Sequence, residues 1–206
     1  MFTGIVQGIV ELSGLVKEPG LHTLAFTFPT PLLENLKTGA SVAIDGVCLT
    51  VIQIEHNAVT FNAISVTLAL TTLGNLKLGD NLNAERSAAY GDEIGGHLVS
   101  GHVHGQVEII QLDNLAHNHV IYFKIADNWI KYLFPKGFIA LNGASLTLAT
   151  VDKKSCVFTV CLIPETLKRT TFANKKVGSL VNFEIDQRTQ TIVDTISSQQ
   201  YSANTL

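Results

Sequence analysis

The sequence predicts an all-β fold of two similar six-stranded barrels in tandem, with short helices and one further helix at the C-terminus. Three observations support this prediction: an internal repeat, short strand-forming segments in both copies, and a tight-turn signal at the same place in each copy. About six strands in roughly 90 residues would leave exposed edges in an open sheet, whereas a closed barrel removes those edges. We therefore expect two small closed barrels.

The internal repeat is visible when the chain is shifted by 97 residues. GIVQGIVE from Gly4 then aligns with GHVHGQVE from Gly101, and AIDGVCLTV from Ala43 aligns with ALNGASLTL from Ala140. After a two-residue insertion in the second copy, the shift becomes 99. The chain is a tandem duplication. It predicts two domains and a tail, at 1–96, 97–186 and 187–206.

Strand character in the first copy is clearest in HTLAFTF, CLTVIQI and AVTFNAI, and in the second copy in HVIYFKI, SLTLATV and CVFTVCL. Asp45-Gly46 and Asn142-Gly143 predict hairpin turns, because these residue types tolerate the positive φ of a two-residue turn. Short helices are predicted at PLLENL, NWIKYLF, VTLALTTLG and PETLKRTTF. Pro164 in the last of these suits a first helical turn.

The tail has no counterpart in the repeat. Ile192, Val193 and Ile196 lie on one face of a predicted helix, and such a narrow apolar stripe needs a partner. Self-association of the chain through this stripe is the favoured interpretation. The alternative is a helix that packs back on its own barrel or frays.

Composition indicates a globular protein with a small partner. The chain is 46% hydrophobic and 15% charged, which excludes the signature of disorder. A net charge of -3 without a Lys/Arg run argues against nucleic acid or anionic membrane as the main partner. The N-terminus lacks a basic flank, and no apolar run reaches the ~20 residues of a membrane helix, so a cytoplasmic location is expected. Cys48, Cys156 and Cys161 fit reduced thiols.

Three of the 7 histidines lie in GGHLVSGHVHG, from Gly95 to Gly105. A metal site is disfavoured, because His97 and His102 would face opposite sides of a single strand and no carboxylate or cysteine completes a ligand set. We therefore predict no metal. The stretch is interpreted as the repeat junction followed by the first strand of the second barrel.

Five motifs, MFTGIV, DGVCLTV, GGHLVSGHV, KGFIALNGASLT and IPETLKRTT, resemble the alpha chain of the riboflavin synthase family. The resemblance covers the whole chain in the same order. It implies two Greek-key barrels that bind lumazines, a homotrimer held by C-terminal helices, and a transferase reaction without a cofactor. It leaves open an association with a lumazine synthase shell.

The family reaction dismutates two molecules of 6,7-dimethyl-8-ribityllumazine by transfer of a four-carbon unit. The products are riboflavin and 5-amino-6-ribitylaminouracil. The resemblance implies a productive site between the first barrel of one subunit and the second barrel of its neighbour, with the two rings stacked. Alignment of two reactants can contribute on the order of 7 to 11 kcal/mol at best.

Differences between the two copies point to the chemistry. Cys48 aligns with Ser145, and Ile5 aligns with His102. One lumazine must lose a proton from its C7 methyl group, and an imidazole titrates near neutral pH, so His102 is predicted to transfer protons and to face the neighbour's pocket. The alternative is a half-buried strand histidine. His104 is left out of the predicted site.

Cys48 and Thr50 share one face of a strand, as do Ser145 and Thr147. These side chains are predicted to hydrogen-bond a pteridine edge or to hold an attacking hydroxyl at the barrel mouth, and Cys48 is equally consistent with a small buried residue. Asp186 matches a family acid beside the reacting rings, and it equally fits the N-cap of the terminal helix.

The resemblance transfers two sets of site residues onto this chain. The predicted catalytic residues are His102, Cys48, Ser145, Thr147, Asp186, Phe2 and Ser41. The predicted substrate-binding residues are Gly4, Ile5, Val6, Cys48, Leu49, Thr50, Asn62, Ala63, Ile64, Ser65, Val66, Thr67, Gly101, His102, Val103, Lys136, Ser145, Leu146, Thr147, Leu162, Ile163, Pro164, Glu165, Thr166 and Leu167.

Two positions depart from the family pattern. The family has Asn and then Asp before the turn glycines, whereas this chain has Asp45 and then Asn142. Ser65-Val66 also stands where a Pro-Glu pair is usual. A competing hypothesis is a non-catalytic antenna protein that binds one lumazine or flavin. The enzyme is favoured because this chain keeps a set of residues that a binding-only relative is expected to have lost in part: Cys48, Thr50, His102, Ser145 and Thr147.

Overall fold

The computed structural model describes residues 1–114 and 118–203, with side chains described as far as 199. Positions 204–206 of the predicted tail lie outside the described residues. The first barrel has strands β1 (Gly8–Glu18), β2 (Leu21–Thr27), β3 (Ser41–Ile44), β4 (Val47–Glu55), β5 (Ala58–Ile64) and β6 (Asn81–Arg86). The strands close in the order β1-β2-β5-β4-β3-β6, with every pairing antiparallel.

The second barrel repeats this arrangement. Its strands are β7 (Gly105–Asn114), β8 (His119–Lys124), β9 (Phe138–Leu141), β10 (Ala144–Asp152), β11 (Val157–Leu162) and β12 (Leu180–Ile185). Read from β7, the order around the barrel is β7-β8-β11-β10-β9-β12, which matches the first barrel strand for strand. The predicted fold of two similar six-stranded Greek-key barrels is confirmed.

Short helices fall where the sequence predicts them. They are α1 (Thr30–Leu33), α2 (Ser65–Leu70), α3 (Asp127–Ile130) and α4 (Pro164–Arg169), and α5 (Gln187–Ala203) follows the second barrel. Single 3-10 turns at Thr72–Asn75 and Thr171–Asn174 follow α2 and α4. Within the described residues, no helix combines the length and the apolarity that crossing a membrane requires.

Both barrel interiors are filled with side chains. Phe26 and Phe61 lie edge to face with ring centroids 6.0 Å apart in the first barrel. Phe123 and Phe158 stack at 5.1 Å in the second barrel. All four rings are fully buried, so each barrel is a packed core and a ligand must bind on its outside.

The two hairpin turns meet at the contact between the barrels. Asp45 and Asn142 have φ of 42° and 43°, and the glycines after them have φ of 80° and 79°, which confirms the predicted turns. A Cβ added to Gly46 would lie 2.7 Å from the backbone nitrogen of Gly143. Glycine is therefore required where the turns touch.

Two asparagines connect the barrels around these turns. Asn83 Nδ2 donates to the carbonyl of Asn142 at 3.0 Å, and Asn182 Nδ2 donates to the carbonyl of Asp45 at 2.9 Å. Each asparagine Oδ1 also accepts the first backbone N–H of the 3-10 turn in the opposite barrel. These reciprocal bonds fix the position of one barrel against the other.

Helix α5 satisfies part of its apolar stripe within the chain. Val193 packs on the core of the second barrel, and Tyr132 Oη donates to Asp194 Oδ1 at 2.6 Å. Ile192 and Ile196 remain 59% and 52% exposed. The helix thus packs back on its own barrel and still presents two isoleucines outward.

Candidate functional site

A short segment of each repeat copy packs on the barrel of the other copy. We call these two segments, Gly4–Val6 and Gly101–Val103, the crossing segments. Gly4–Val6 precedes the first barrel but lies on the second, where the backbone N–H of Ser145 donates to Gly4 O at 2.8 Å. Gly101–Val103 precedes the second barrel but lies on the first, where the N–H of Cys48 donates to Gly101 O at 2.9 Å. The valines at the ends of the two segments pack against the cores of the barrels that receive them.

Two glutamates hold the crossing segments in place. Glu85 Oε1 accepts from the N–H and the hydroxyl of Thr3 at 2.6 and 2.7 Å, and Oε2 accepts the next N–H at 3.1 Å. Glu184 makes the same three bonds, with Ser100 in the place of Thr3. Burial raises the pKa of Glu85, and its hydrogen bonds act in the opposite direction. The identity of these two glutamates at equivalent repeat positions was the available sequence signal for this role.

The first glycine of each crossing segment is required by its surroundings. Gly4 has φ of 74° and Gly101 has φ of 82°, a region that other residues adopt at a cost. A Cβ on Gly4 would lie 2.5 Å from Ser145 Cβ, and a Cβ on Gly101 would lie 2.5 Å from Cys48 Cβ. No side chain fits between the segment and the barrel.

A pocket lies beside each crossing segment, on the outside of the barrel that receives it. The first-barrel pocket has a volume of about 430 Å³ and is lined by Cys48, Val66, Thr67, Gly101, His102 and Val103, with Val47, Leu70 and Thr71. The second-barrel pocket has a volume of about 450 Å³ and is lined by Gly4, Ile5, Val6, Ser145, Leu146, Ile163, Glu165 and Thr166, with Ala144, Arg169 and Thr170. The internal repeat relates these two linings to each other.

Other predicted site residues lie outside both linings. Those buried in or against the barrel cores are Leu49, Ala63, Leu162 and Leu167. The others lie on barrel strands, at the starts of helices or in loops, and they are Ser41, Thr50, Asn62, Ile64, Ser65, Lys136, Thr147 and Pro164. Phe2 is fully buried in a small cluster with Val99 between the barrels, in contact with Cys48. Thr50 and Thr147 face outward rather than into a barrel mouth, because the barrel interiors are filled.

The prediction that a strand carries His102 is wrong, since β7 begins only at Gly105. Before that strand, Ser100 donates its backbone N–H to Glu184 Oε1 at 2.7 Å, and the His102 N–H donates to Ser100 Oγ at 3.1 Å. His102 is an exposed residue beside Cys48 of its own chain. Contact with a second subunit stays a prediction.

The two pockets differ in side-chain chemistry. Position for position, the first-barrel pocket has Cys48 and His102 where the second has Ser145 and Ile5. The α2 side of the first pocket carries no charged side chain among its lining residues. The α4 side of the second carries an exposed ion pair, in which Glu165 accepts from Arg169 Nε at 2.5 Å and the pKa of Glu165 is lowered by this bond.

Asp186 caps helix α5. Its Oδ2 accepts from the N–H of Thr189 at 3.1 Å and from the Thr189 hydroxyl at 2.7 Å. Asp186 also lines a separate cavity together with His97 and Arg188. A role beside reacting rings stays a prediction for this residue.

His104 connects α5 to the second barrel. Its Nδ1 accepts from the Ile185 N–H at 3.3 Å, and its Nε2 lies 3.1 Å from Gln190 Oε1. Its ring meets Trp129 edge to face at 4.9 Å. These contacts give His104 a structural role.

Sequence reasoning missed His97. Its Nδ1 lies 2.7 Å from Ser145 Oγ, and its ring stacks on Phe138 at 5.2 Å. Burial lowers the pKa of His97, and the charge of Asp186 acts in the opposite direction. Sequence spacing carried no signal for this contact, because His97 lies in a connection without strand or helix periodicity.

The described residues contain no cluster of three or more His, Cys, Asp or Glu side chains suited to a metal ion. All three cysteines are free thiols. The polar groups that line the two pockets are therefore hydroxyl, thiol, imidazole, carboxylate and guanidinium groups together with exposed backbone.

The sequence and the fold are both similar to those of known proteins. The family model for the lumazine binding domain matches residues 3–87 and 100–186. The riboflavin synthase of Escherichia coli (strain K12) is 47% identical over 197 residues, 95% of this chain and 92% of that protein. The riboflavin synthase of Buchnera aphidicola subsp. Schizaphis graminum is 48% identical over 196 residues, 95% and 93% of the two chains. That of Chlamydia pneumoniae is 44% identical over 196 residues, 95% of each chain.

Solved structures of LumP share the fold. LumP complexed with 6,7-dimethyl-8-(1'-D-ribityl) lumazine superposes with a TM-score of 0.82 at 24% identity, covering 91% of this chain and 100% of LumP. LumP complexed with riboflavin gives a TM-score of 0.83 at 25% identity and the same coverage.

Proposed function

The chain belongs to the riboflavin synthase family, and from this membership we propose how its two pockets divide the reaction. The protein is an enzyme, a transferase of two lumazine-binding domains. Each pocket binds one 6,7-dimethyl-8-ribityllumazine, and a four-carbon unit passes from one ring to the other. Riboflavin and 5-amino-6-ribitylaminouracil are the products.

The observation that supports this proposal is the pair of repeat-related pockets with different side chains. A reaction between two copies of one molecule needs two sites of similar shape and unequal chemistry. The volumes of about 430 and 450 Å³ are alike, whereas Cys48 and His102 replace Ser145 and Ile5.

We assign proton transfer to His102 in the first-barrel pocket. The lumazine that becomes a carbanion must lose a proton from its C7 methyl group, and an imidazole exchanges protons near neutral pH. The exposed position of His102 beside Cys48 leaves its ring free to reach a bound ligand. The Cys48 thiol contacts the same ring, and Ser145 supplies the corresponding hydroxyl in the second-barrel pocket.

The remaining predicted contacts belong to the pocket rims. Thr50 and Thr147 lie next along β4 and β10 from Cys48 and Ser145, on the same outward face. Ser41 pairs with Thr50 across β3 and β4. We propose that these hydroxyls hydrogen-bond the parts of a ligand that extend beyond the pocket floor.

We further propose a homotrimer in which the first-barrel pocket of one subunit faces the second-barrel pocket of the next. The two pockets of one chain lie on different barrels. The family resemblance implies that the two bound rings stack between the first barrel of one subunit and the second barrel of its neighbour. Ile192 and Ile196 of α5 supply an unpartnered apolar face for this association.

Deleting residues 187–206 should dissociate the oligomer and leave the barrels folded, measured by light scattering and circular dichroism. The deletion also removes Val193 and Asp194 from the second barrel, so Ile192→Ser/Ile196→Ser is the matched variant that keeps those contacts. An unchanged oligomer in both variants contradicts the proposed role of α5.

Two further expectations rest on family membership. Association with a lumazine synthase shell is checked by co-sedimentation of the two purified proteins. A cytoplasmic location agrees with three free thiols, and it is checked by cell fractionation.

The direct test of function is to mix the purified protein with 6,7-dimethyl-8-ribityllumazine and follow riboflavin fluorescence. Riboflavin and the ribitylaminouracil should form in equal amounts, because each turnover consumes two lumazines. Tight binding of one lumazine without turnover would instead identify a non-catalytic antenna protein.

A further inference from the structure

The Ser145 hydroxyl is enclosed on several sides. His97 Nδ1 lies 2.7 Å from its Oγ, and the backbone of Gly4 covers its Cβ. A Cβ placed on Gly96 would come within 2.9 Å of the same oxygen. This close packing leaves the hydroxyl little freedom to rotate, so its orientation is set by its neighbours.

His97 is itself held firmly. It is 8% exposed, and its ring lies parallel to that of Phe138, with 18° between the planes. Asp186 and Arg188 line the cavity on which His97 borders. Burial lowers the pKa of His97 and favours the neutral ring, which has one N–H and one lone pair.

The first-barrel pocket has no equivalent of this contact. Cys48 occupies the position that corresponds to Ser145, and its thiol forms no hydrogen bond within the described part of the chain. Among the described residues, the imidazole–hydroxyl pair of His97 and Ser145 is therefore a feature of the second-barrel pocket.

We propose that His97 is a positioning residue for the second-barrel pocket. Its Nδ1 accepts the hydroxyl proton of Ser145, which leaves the lone pairs of Ser145 Oγ directed at the ligand. Ser145 then acts as a fixed acceptor for an N–H or O–H group of the bound heterocycle or its ribityl chain. The inference rests on the proposed function, since it specifies how one of the two lumazine pockets hydrogen-bonds its ligand.

Four variants of the full-length protein test this role. His97→Phe keeps the stacking on Phe138 and removes the acceptor, and His97→Asn restores an oxygen acceptor near the Nδ1 position. Ser145→Ala removes the hydroxyl, and the double variant His97→Phe/Ser145→Ala completes a double-mutant cycle. Lumazine affinity is measured by fluorescence titration, and riboflavin formation in a single turnover is measured by rapid quench.

His97→Phe should weaken binding or slow the single turnover by about 3- to 10-fold, the scale of one lost hydrogen bond. His97→Asn should recover most of that loss. The double variant should behave like Ser145→Ala alone, because His97 acts only through that hydroxyl. Additive losses in the double variant, or no recovery with Asn, overturn the proposal.

Nitrogen NMR of the imidazole provides a readout that does not depend on activity. In the wild-type protein at neutral pH, the Nδ1 resonance should be that of an unprotonated nitrogen in a hydrogen bond, and Ser145→Ala should shift it. A protonated Nδ1 overturns the proposal, even if the Phe variant fails to fold. Wild-type protein that binds lumazine without forming riboflavin would defeat the proposed function, while the NMR result would still decide the role of His97.

Discussion

The first-barrel pocket and the second-barrel pocket share one backbone frame and differ in the side chains mounted on it. Gly101 approaches Cys48 as Gly4 approaches Ser145, with backbone hydrogen bonds of 2.9 and 2.8 Å. Glu184 and Glu85 hold the two crossing segments through equivalent bonds. On this common frame, one pocket presents a thiol and an exposed imidazole, and the other presents a hydroxyl fixed by a buried imidazole.

The difference teaches which parts of a duplicated site are free to diverge. The glycines and glutamates of the frame have no room to change, because a Cβ would collide with the facing strand and a buried N–H would lose its acceptor. Several side chains that line the pockets differ between the two copies, as Cys48 and Ser145 do. One fold therefore supports two sites with repeat-related linings and unequal chemistry, which suits a reaction between two identical molecules.

Of the changes considered, replacement of His102 should have the largest effect on the reaction, because it removes the imidazole that distinguishes the first-barrel pocket from the second. His102→Gln should lower single-turnover riboflavin formation by about 10- to 1000-fold, since a proton-transfer group is lost. Lumazine binding should stay nearly intact, because the backbone of the crossing segment remains in place. Rapid-quench kinetics and fluorescence titration measure the two quantities.

Thr147→Val is the matched control in the other barrel. It removes a hydroxyl from the outer face of β10 without removing a titrating group, so it should raise the dissociation constant more than it slows the single turnover. A single-turnover rate equal to that of the wild type in His102→Gln would show that His102 is a surface residue without a role in proton transfer.

Adding a methyl group to either crossing segment should disable one pocket at a time. Gly4→Ala places Cβ against Ser145, and Gly101→Ala places Cβ against Cys48 and Phe2. Each change also forces alanine to a positive φ, so we expect a loss of about 10- to 100-fold in lumazine affinity at the pocket concerned. Calorimetric titration, which resolves two sites per chain, measures the effect.

Gly39→Ala provides the control for backbone strain alone. Gly39 has φ of 87°, and a Cβ there would meet no atom within 4 Å. This variant should lose some stability and keep both lumazine sites. Equal weakening of both sites by Gly4→Ala would show that the two pockets are not built separately by their crossing segments.

The smallest predicted effect concerns the turns between the barrels, where Asp45 corresponds to Asn142. Burial raises the pKa of Asp45 from 3.8 to about 6, while Lys175 and the Asn83 N–H act in the opposite direction. The folded protein therefore holds this proton more tightly than the unfolded chain, and the free energy of unfolding falls as the pH rises from about 4 through 6.

Asp45→Asn should remove this loss, because Asn142 shows that the turn accepts an amide whose Oδ1 still receives a backbone N–H. We expect a stabilisation of about 1 to 2 kcal/mol at pH 8, within the roughly 3 kcal/mol that the full pKa shift corresponds to. The gain should disappear below pH 4. Urea unfolding across this range is the measurement, and a pH-independent difference between variant and wild type would contradict the assignment.

Much of the fold could be predicted because it is encoded in short stretches of sequence. Alternating apolar residues in β4 and β10, and the turn pairs at Asp45-Gly46 and Asn142-Gly143, specify hairpins through contacts between near neighbours in the chain. Because the chain is duplicated, each strand and turn signal occurs twice, and the second occurrence supports the first. The assignment of His102 to a strand failed because the pattern of residues 101–103 is compatible with a strand. In the structure this segment instead bonds to the Glu184 carboxylate and to the backbone N–H of Cys48 in the first barrel.

The sequence by itself determined the duplicated barrels, the terminal helix and the chemical asymmetry between Cys48 and Ser145 and between Ile5 and His102. Only the tertiary structure decided that the crossing segments exchange barrels, that the pockets lie outside filled cores, and that His97 contacts Ser145 across 48 positions of sequence. The physical reason is that periodicity and turn chemistry act over a few residues. The partner of a buried polar group, in contrast, depends on which distant strand the closed barrel brings within hydrogen-bond distance.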